Sequence, residues 1–279
     1  MHQPTIHCKN CGTDFHAKFC NECGEKVYSE KDKSLLSIVE EFFHFISHFE
    51  GKLFTTLKAI FTKPGKLSLD YCNGIRKKYF KPISFFLLIV IIYLIFPLAG
   101  GLNLRLPNHL SVNSWYGNYA RNAVRIFMVD RHLGEVAVFE KYSALSEKVS
   151  KFLLFLLIPV MAVFSVIFTF KAKRLFFDHL IFSTETISFF ILWGFLILPL
   201  FVRIINVFTA ILQGNTDAFI VPFILLASAV YVFLAARRFY FFNWGKAFLF
   251  SILFLTILPL FAHYIYSFIL FFITVNLLH

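Results

Sequence analysis

Four cysteines in the opening stretch CKNCGTDFHAKFCNECG are the residues best suited to chemistry. Cys8 and Cys11, then Cys20 and Cys23, form two CxxC pairs separated by eight residues. Four soft thiolates at this spacing suit a tetrahedral Zn²⁺, because CxxC lets two neighbouring sulfurs reach one ion. Gly12 and Gly24 each follow a second cysteine, where the chain must turn tightly. With cysteine at all four positions the expected site is closed, which makes it a structural zinc and not a catalytic one. So short a segment builds no apolar core, so metal binding would supply its folding free energy. His7 and His16 are neighbours that the ligand set does not need.

A second group of metal-competent residues is spread over two segments. Glu41, His44 and His48 share one helical face, with the histidines at i, i+4 and the carboxylate one turn earlier. The same residues also make the polar side of an interfacial helix, which needs no metal. Asp178 and His179 sit at the mouth of an apolar run, and Glu185 lies about 9 Å deeper in a helix rising ~1.5 Å per residue. An ionisable residue at that depth is costly and functional by default. It is expected to pair with His179 or with a histidine of the interfacial helix. His179 and Glu185 are about 240° apart on an ideal helix, so a shared site needs a contribution from elsewhere. His44 and His48 are the candidates. A second divalent metal held by this cluster is one reading; a structural ion pair or a hydrogen-bonded Glu185 is the other. Cys72 has no motif around it, and the chain holds no nucleotide-binding glycine loop, nucleophile elbow or HExxH.

The elements that must position these residues follow from composition. The chain has 279 residues, 58% hydrophobic and only 15% charged, with 40 phenylalanines. Five apolar stretches reach spanning length: about 82–100, 151–170, 179–202, 218–236 and 247–276. Pro259 is a candidate kink in the last. Ahead of them, 34–62 reads as an amphipathic helix. Glu40, Glu41, His44, His48, Lys52 and Lys58 fall on one side and Leu35, Phe42, Phe45, Phe49, Leu53 and Ile60 on the other. A Pro-Gly turn and the basic residues Arg76, Lys77, Lys78 and Lys81 lead into the first span.

Charge sets the orientation. The net charge is +11, and 13 of the 27 Lys and Arg residues precede position 82. Lys171, Lys173 and Arg174 follow the second span; Arg237, Arg238 and Lys246 separate the fourth and fifth. An N-terminus inside puts all three clusters on the cytosolic face, as the positive-inside rule expects. These charges meet anionic headgroups of the lipid bilayer, not nucleic acid. The segment 101–150 would be external, since long loops cross largely regardless of charge. Within it, 113–119 reads as irregular turn and 135–151 as an amphipathic helix entering the second span. No secretory signal is visible in residues 1–33, and cysteines in a reducing compartment read as metal ligands.

The chain resembles a family of uncharacterised bacterial integral-membrane proteins, a domain of unknown function, with an N-terminal zinc ribbon. The resemblance runs over nearly the whole chain. It rests on the cysteine stretch, on FTKPGKLSLDYCNGIRKKYFKPISFFLL with Lys63, Pro64, Gly65, Tyr71, Gly74, Arg76, Lys77 and Pro82 matching, and on DHLIFSTETISF. In the last segment Glu185 stands where the family pattern continues to a histidine, an oxygen ligand in place of an imidazole. The resemblance implies an architecture but no activity; the N-in orientation gives the expected location, the cytoplasmic (inner) membrane.

The expected fold is therefore an all-α polytopic membrane protein with about five transmembrane helices, N-in and C-out. Residues 1–30 form a cytosolic zinc ribbon, 34–81 the interfacial helix and juxtamembrane segment, and 82–279 the transmembrane domain. Three functions fit. One is a scaffold or regulator whose zinc ribbon docks a protein partner. Another is a lipid or small-solute transporter or scramblase using Glu185 and nearby histidines. The third is an intramembrane metal-dependent enzyme.

Overall fold

The computed structural model describes residues 5–8, 11–16, 19–23, 51–170, 174–208 and 216–278. The chain divides into two units, Met1–Lys52 and Leu53–His279. In the first, strands β1 (Ile6–His7) and β2 (Asp14–Phe15) pair antiparallel, with Ile6 opposite Phe15. Gly12 turns the chain between them at φ 79°, a conformation that costs an L side chain about 1–2 kcal/mol. The buried side chains are Cys8, Phe15 and Cys20, with Ile6 against them. Most of the expected interfacial helix, including Glu41, His44 and His48, lies outside the described residues.

Among the described residues the regular elements of the second unit are all helices. Residues 53–62 are helical (α1), followed by α2 (Lys66–Cys72), α3 (Pro82–Ile95), α4 (Leu106–Leu110), α5 (Gly117–Asp130) and α6 (Glu135–Leu153). Then come α7 (Leu157–Phe168), α8 (Phe176–Ile191), α9 (Leu198–Phe208), α10 (Thr216–Tyr240), α11 (Trp244–Phe261) and α12 (Ser267–Leu278). Three pairs of these run on into one another. A tight 3₁₀ turn at Leu154–Leu156 joins α6 to α7, and wide π turns at Leu192–Ile197 and Ala262–Tyr266 join α8 to α9 and α11 to α12. Each departure has a proline nearby: Pro159, Pro199 and Pro259. A proline withholds one i→i−4 hydrogen bond and crowds the carbonyl it should have met, so the helix changes its winding there.

Among the described residues four helices are long and apolar enough to cross a membrane: Glu135–Phe168, Phe176–Ile204, Pro222–Tyr240 and Trp244–Leu278. The stretch expected as the first span is helical only across the 14 residues of α3, about 21 Å at ~1.5 Å per residue against a hydrocarbon core of ~30 Å. It stops there because Pro97 disfavours the helical conformation for Phe96, which sits at φ −119° and ψ 78°. The chain is thus an all-α polytopic membrane protein. The exposed residues agree: Ile83, Leu87, Ile91 and Ile95, one helical turn apart on α3, all point outward, as do Phe248, Leu249 and Ile252 on α11. An apolar outer surface of that extent suits lipid.

At the centre stands α8. From Ile181 to Phe189 every residue is buried, and it touches α2, α3, α7 and α10. Aromatic rings fill the space around it: Phe182 stacks on Phe239 at 5.1 Å and Phe189 on Tyr231 at 3.8 Å. A separate core, built from Leu106, Tyr116, Val124, Phe127, Val138 and Tyr142, gathers α4, α5 and α6 against Phe271 and Val275 of α12. The expected external loop is therefore a helical lobe. Two continuous helices of 34 and 35 residues supply its walls, each about 50 Å long and so about 20 Å longer than the bilayer core. Residues 135–151 form an amphipathic helix that enters the span, and 113–116 are turn, but Gly117 already begins α5.

Candidate metal centre and the buried Glu185 site

The hairpin brings the two CxxC pairs together. The Cys8 amide donates to the Thr13 carbonyl at 3.0 Å and the Gly12 amide to the Cys8 carbonyl at 2.9 Å, which folds the first pair into a tight knuckle. Cys8 Sγ then lies 3.5 Å from Cys23 Sγ, and Cys11 Sγ 3.6 Å from Cys20 Sγ. All four sulfurs fall within 4.8 Å of one another. A tetrahedron with Zn–S bonds of ~2.3 Å has edges of about 3.8 Å, so the set fits one such ion. Cys8 and Cys20 are buried while Cys11 and Cys23 are exposed. Hydrogen bonding to Thr13, whose Oγ1 is 3.4 Å away, brings the Cys11 thiol down to about 6; metal ligands are thiolates. His7 is engaged elsewhere, with Nδ1 2.8 Å from Asp14 Oδ1, and His16 is exposed.

Glu185 has partners that the sequence did not suggest. Its carboxylate is 1% exposed and meets the turn Lys63–Pro64–Gly65 and the first turn of α2. The Gly65 amide donates to Oε1 at 2.8 Å and the Ser68 amide to Oε2 at 2.7 Å. The Ser68 hydroxyl also donates to Oε2, and the Tyr231 hydroxyl donates to Oε1 at 3.1 Å. Four donors on two oxygens fill the acceptor capacity of a carboxylate. Two of them are the amides of Gly65, which caps α2, and of Ser68 in its first turn, which have no acceptor within the helix. The turn itself is held closed by its neighbours. Gly65 has φ 75°, and a Cβ there would stand 2.6 Å from the Ala235 carbonyl oxygen. Arg238 donates to the Pro64 carbonyl at 2.5 Å.

The other expected members of that cluster are dispersed. His179 does not pair with Glu185: its Nδ1 lies 2.8 Å from the Tyr240 hydroxyl, and the two rings stack. Asp178 accepts from the Leu175 amide at 3.2 Å and lies 4.0 Å from Arg174. Among the described residues the cysteine set alone gathers three or more ligand groups at metal-binding range. Glu41, His44 and His48 are outside those residues. Cys72 lies against Asp178, and burial followed by that carboxylate pushes its thiol up to about 12, which makes it a poor nucleophile.

Sequence reasoning singled out Glu185 but missed Ser68, Tyr231 and Tyr240. The available signal was the turn KPGKLS: a left-handed glycine opening a short helix leaves free amides that call for an acceptor. Its partner is 117 to 120 positions away, beyond any local pattern.

No curated protein and no solved structure matches this chain. Residues 50–94, which hold α1, the turn, α2 and nearly all of α3, match a family model described as "Protein of unknown function (DUF3667)".

Proposed function

We propose that this protein is a membrane scaffold or regulator whose cysteine module is a structural zinc ribbon that docks a protein partner. The convergence of four cysteine sulfurs within 4.8 Å carries the reading, because an all-cysteine set has no open position for substrate. Zinc there would contribute the folding free energy that a core of three buried side chains does not. Phe19, 55% exposed beside Cys20, supplies the apolar contact that docking needs. The readings that use Glu185 as a proton carrier or metal ligand require it to be accessible. A buried carboxylate with four donors supports a staple between α8 and α2 instead.

Metal content of the purified full-length chain tests the site. One zinc per chain is expected, lost in Cys8→Ser and retained in Glu185→Gln. Retention in Cys8→Ser, or loss of metal from Glu185→Gln, would overturn the assignment. Docking is tested by photo-crosslinking from position 19 in membranes. A discrete adduct is expected in the zinc-loaded protein and none in Cys8→Ser. A loaded module that gives no adduct leaves the zinc site standing and removes the docking role.

A further inference from the structure

At the end of the bundle remote from α2, two cavities adjoin. The first, about 330 Å³, carries the charged groups: Arg105, Glu147, Lys151 and Arg203 line it together with Tyr93, Asn103 and the loop 97–100. The second, about 280 Å³, is apolar, with Leu104, Phe190, Leu225, Leu258 and Pro259 around it. Asn103 lines both. Its Oδ1 is buried and has no hydrogen-bond partner among the described residues. A chamber with a charged half and a greasy half meeting at one side chain is shaped for an amphiphile.

The charged half is over-supplied with cations. Arg105, Lys151 and Arg203 face one carboxylate, Glu147, and that group is already engaged with Lys151 at 2.9 Å. The Lys151 residue is only 6% exposed, with its ammonium over the Tyr93 ring at 5.5 Å. Arg203 donates to the Leu98 carbonyl at 3.0 Å. A guanidinium carries five donors, so most of those on Arg203 remain available. The Arg105 guanidinium makes no hydrogen bond among the described residues. Two nearby loop acceptors are occupied, Leu98 O by Arg203 and Ala99 O by the Tyr93 hydroxyl at 2.8 Å. Planar donors left over after these contacts suit the oxygens of a phosphate.

We propose that these cavities form a binding site for an anionic glycerophospholipid, with the phosphate held by Arg105, Lys151 and Arg203 and an acyl chain in the apolar cavity beside Asn103. This inference is independent of the zinc reading, since it uses none of residues 1–52. Each Lys or Arg close to a bilayer surface attracts an anionic headgroup.

Native mass spectrometry of the full-length protein, released from detergent with added lipid, provides the test. Phosphatidylglycerol should be retained in clear preference to zwitterionic phosphatidylcholine. Arg105→Gln/Arg203→Gln should lose about fivefold in that preference per charge removed, and Arg105→Lys/Arg203→Lys should keep most of it. Leu225→Trp, at a half-exposed wall of the apolar cavity, should reduce phosphatidylglycerol retention with every cation in place, and serves if the glutamine pair fails to fold. Equal retention of the two lipids would mean annular lipid only and would overturn the proposal. So would unchanged retention in Leu225→Trp, or displacement of the lipid by an equal concentration of sn-glycerol 1-phosphate, which would make the pocket a soluble-anion site.

Discussion

At the scale of single residues, Glu185 shows what a sequence discloses about a buried charge and what it withholds. A carboxylate inside the run IFSTETISFF is visibly expensive, so some partner is required. Which partner is invisible, because Ser68 and Gly65 approach from the far side of a turn more than a hundred positions upstream. The cysteines are the opposite case: their chemistry is local, and spacing alone gathers them. Glu185→Gln would place an amide NH₂ against the donors from α2, costing roughly 2–3 kcal/mol, with zinc content unchanged. Gly65→Ala would pair a left-handed backbone with a clash on Ala235 and cost about 2 kcal/mol or more. Both should lower the thermal unfolding midpoint of the detergent-solubilised protein. Midpoints at the wild-type value would mean that the α2–α8 contact is dispensable.

At the scale of elements, apolar periodicity locates the helices, and prolines explain where they change winding. It does not reveal how far a helix continues beyond the bilayer. Of the lobe, α4 and α5 lie in the segment expected as an external loop, α6 matches the amphipathic helix expected over 135–151, and α12 falls in the expected fifth span. The lobe's core depends on aromatic contacts between residues 106–142 and 271–275. His109 lies inside that core, fully buried against Tyr116, Tyr142 and Phe271. Its Nε2 lies 3.2 Å from the Leu104 carbonyl, so that nitrogen carries the hydrogen, and Nδ1 accepts from the Tyr116 hydroxyl at 2.5 Å. Burial brings the imidazole down to about 4 from an ordinary 6.5. Between these values the unfolded chain binds a proton that the folded lobe excludes. Stability is therefore highest above pH 6.5 and falls as the pH drops toward 4. At about 1.4 kcal/mol per pH unit the loss approaches roughly 3 kcal/mol, and it grows no further below that window. Hydrogen exchange of α4–α6 followed from pH 7 to pH 4.5 should show progressive loss of protection, with a smaller change in His109→Gln. Identical pH dependence in both proteins would exclude His109 as the cause.

At the scale of the whole molecule, the contacts sort the basic residues by end. Arg238 reaches the Pro64 carbonyl and Arg174 the Phe239 carbonyl at 2.8 Å. The segment before α3, the junction after α7 and the junction after α10 therefore meet at one end of the bundle. The same three clusters had been grouped from charge alone, so span parity and packing agree even though α3 is only 14 residues long. A short helix beside longer ones is accommodated by local bilayer thinning or by its partners' tilt. By the positive-inside rule the clustered end is the expected cytosolic end and the helical lobe, its own Lys and Arg notwithstanding, the expected external one. Val112, 85% exposed in the lobe, and Lys78, on the clustered end, are suitable reporters. Above the background of the native cysteines, Val112→Cys should react with a membrane-impermeant maleimide in intact cells, and Lys78→Cys only after permeabilisation. The opposite pattern would place the Glu185 turn outside, and would mean that the lobe's own cations, not the three clusters, set the orientation.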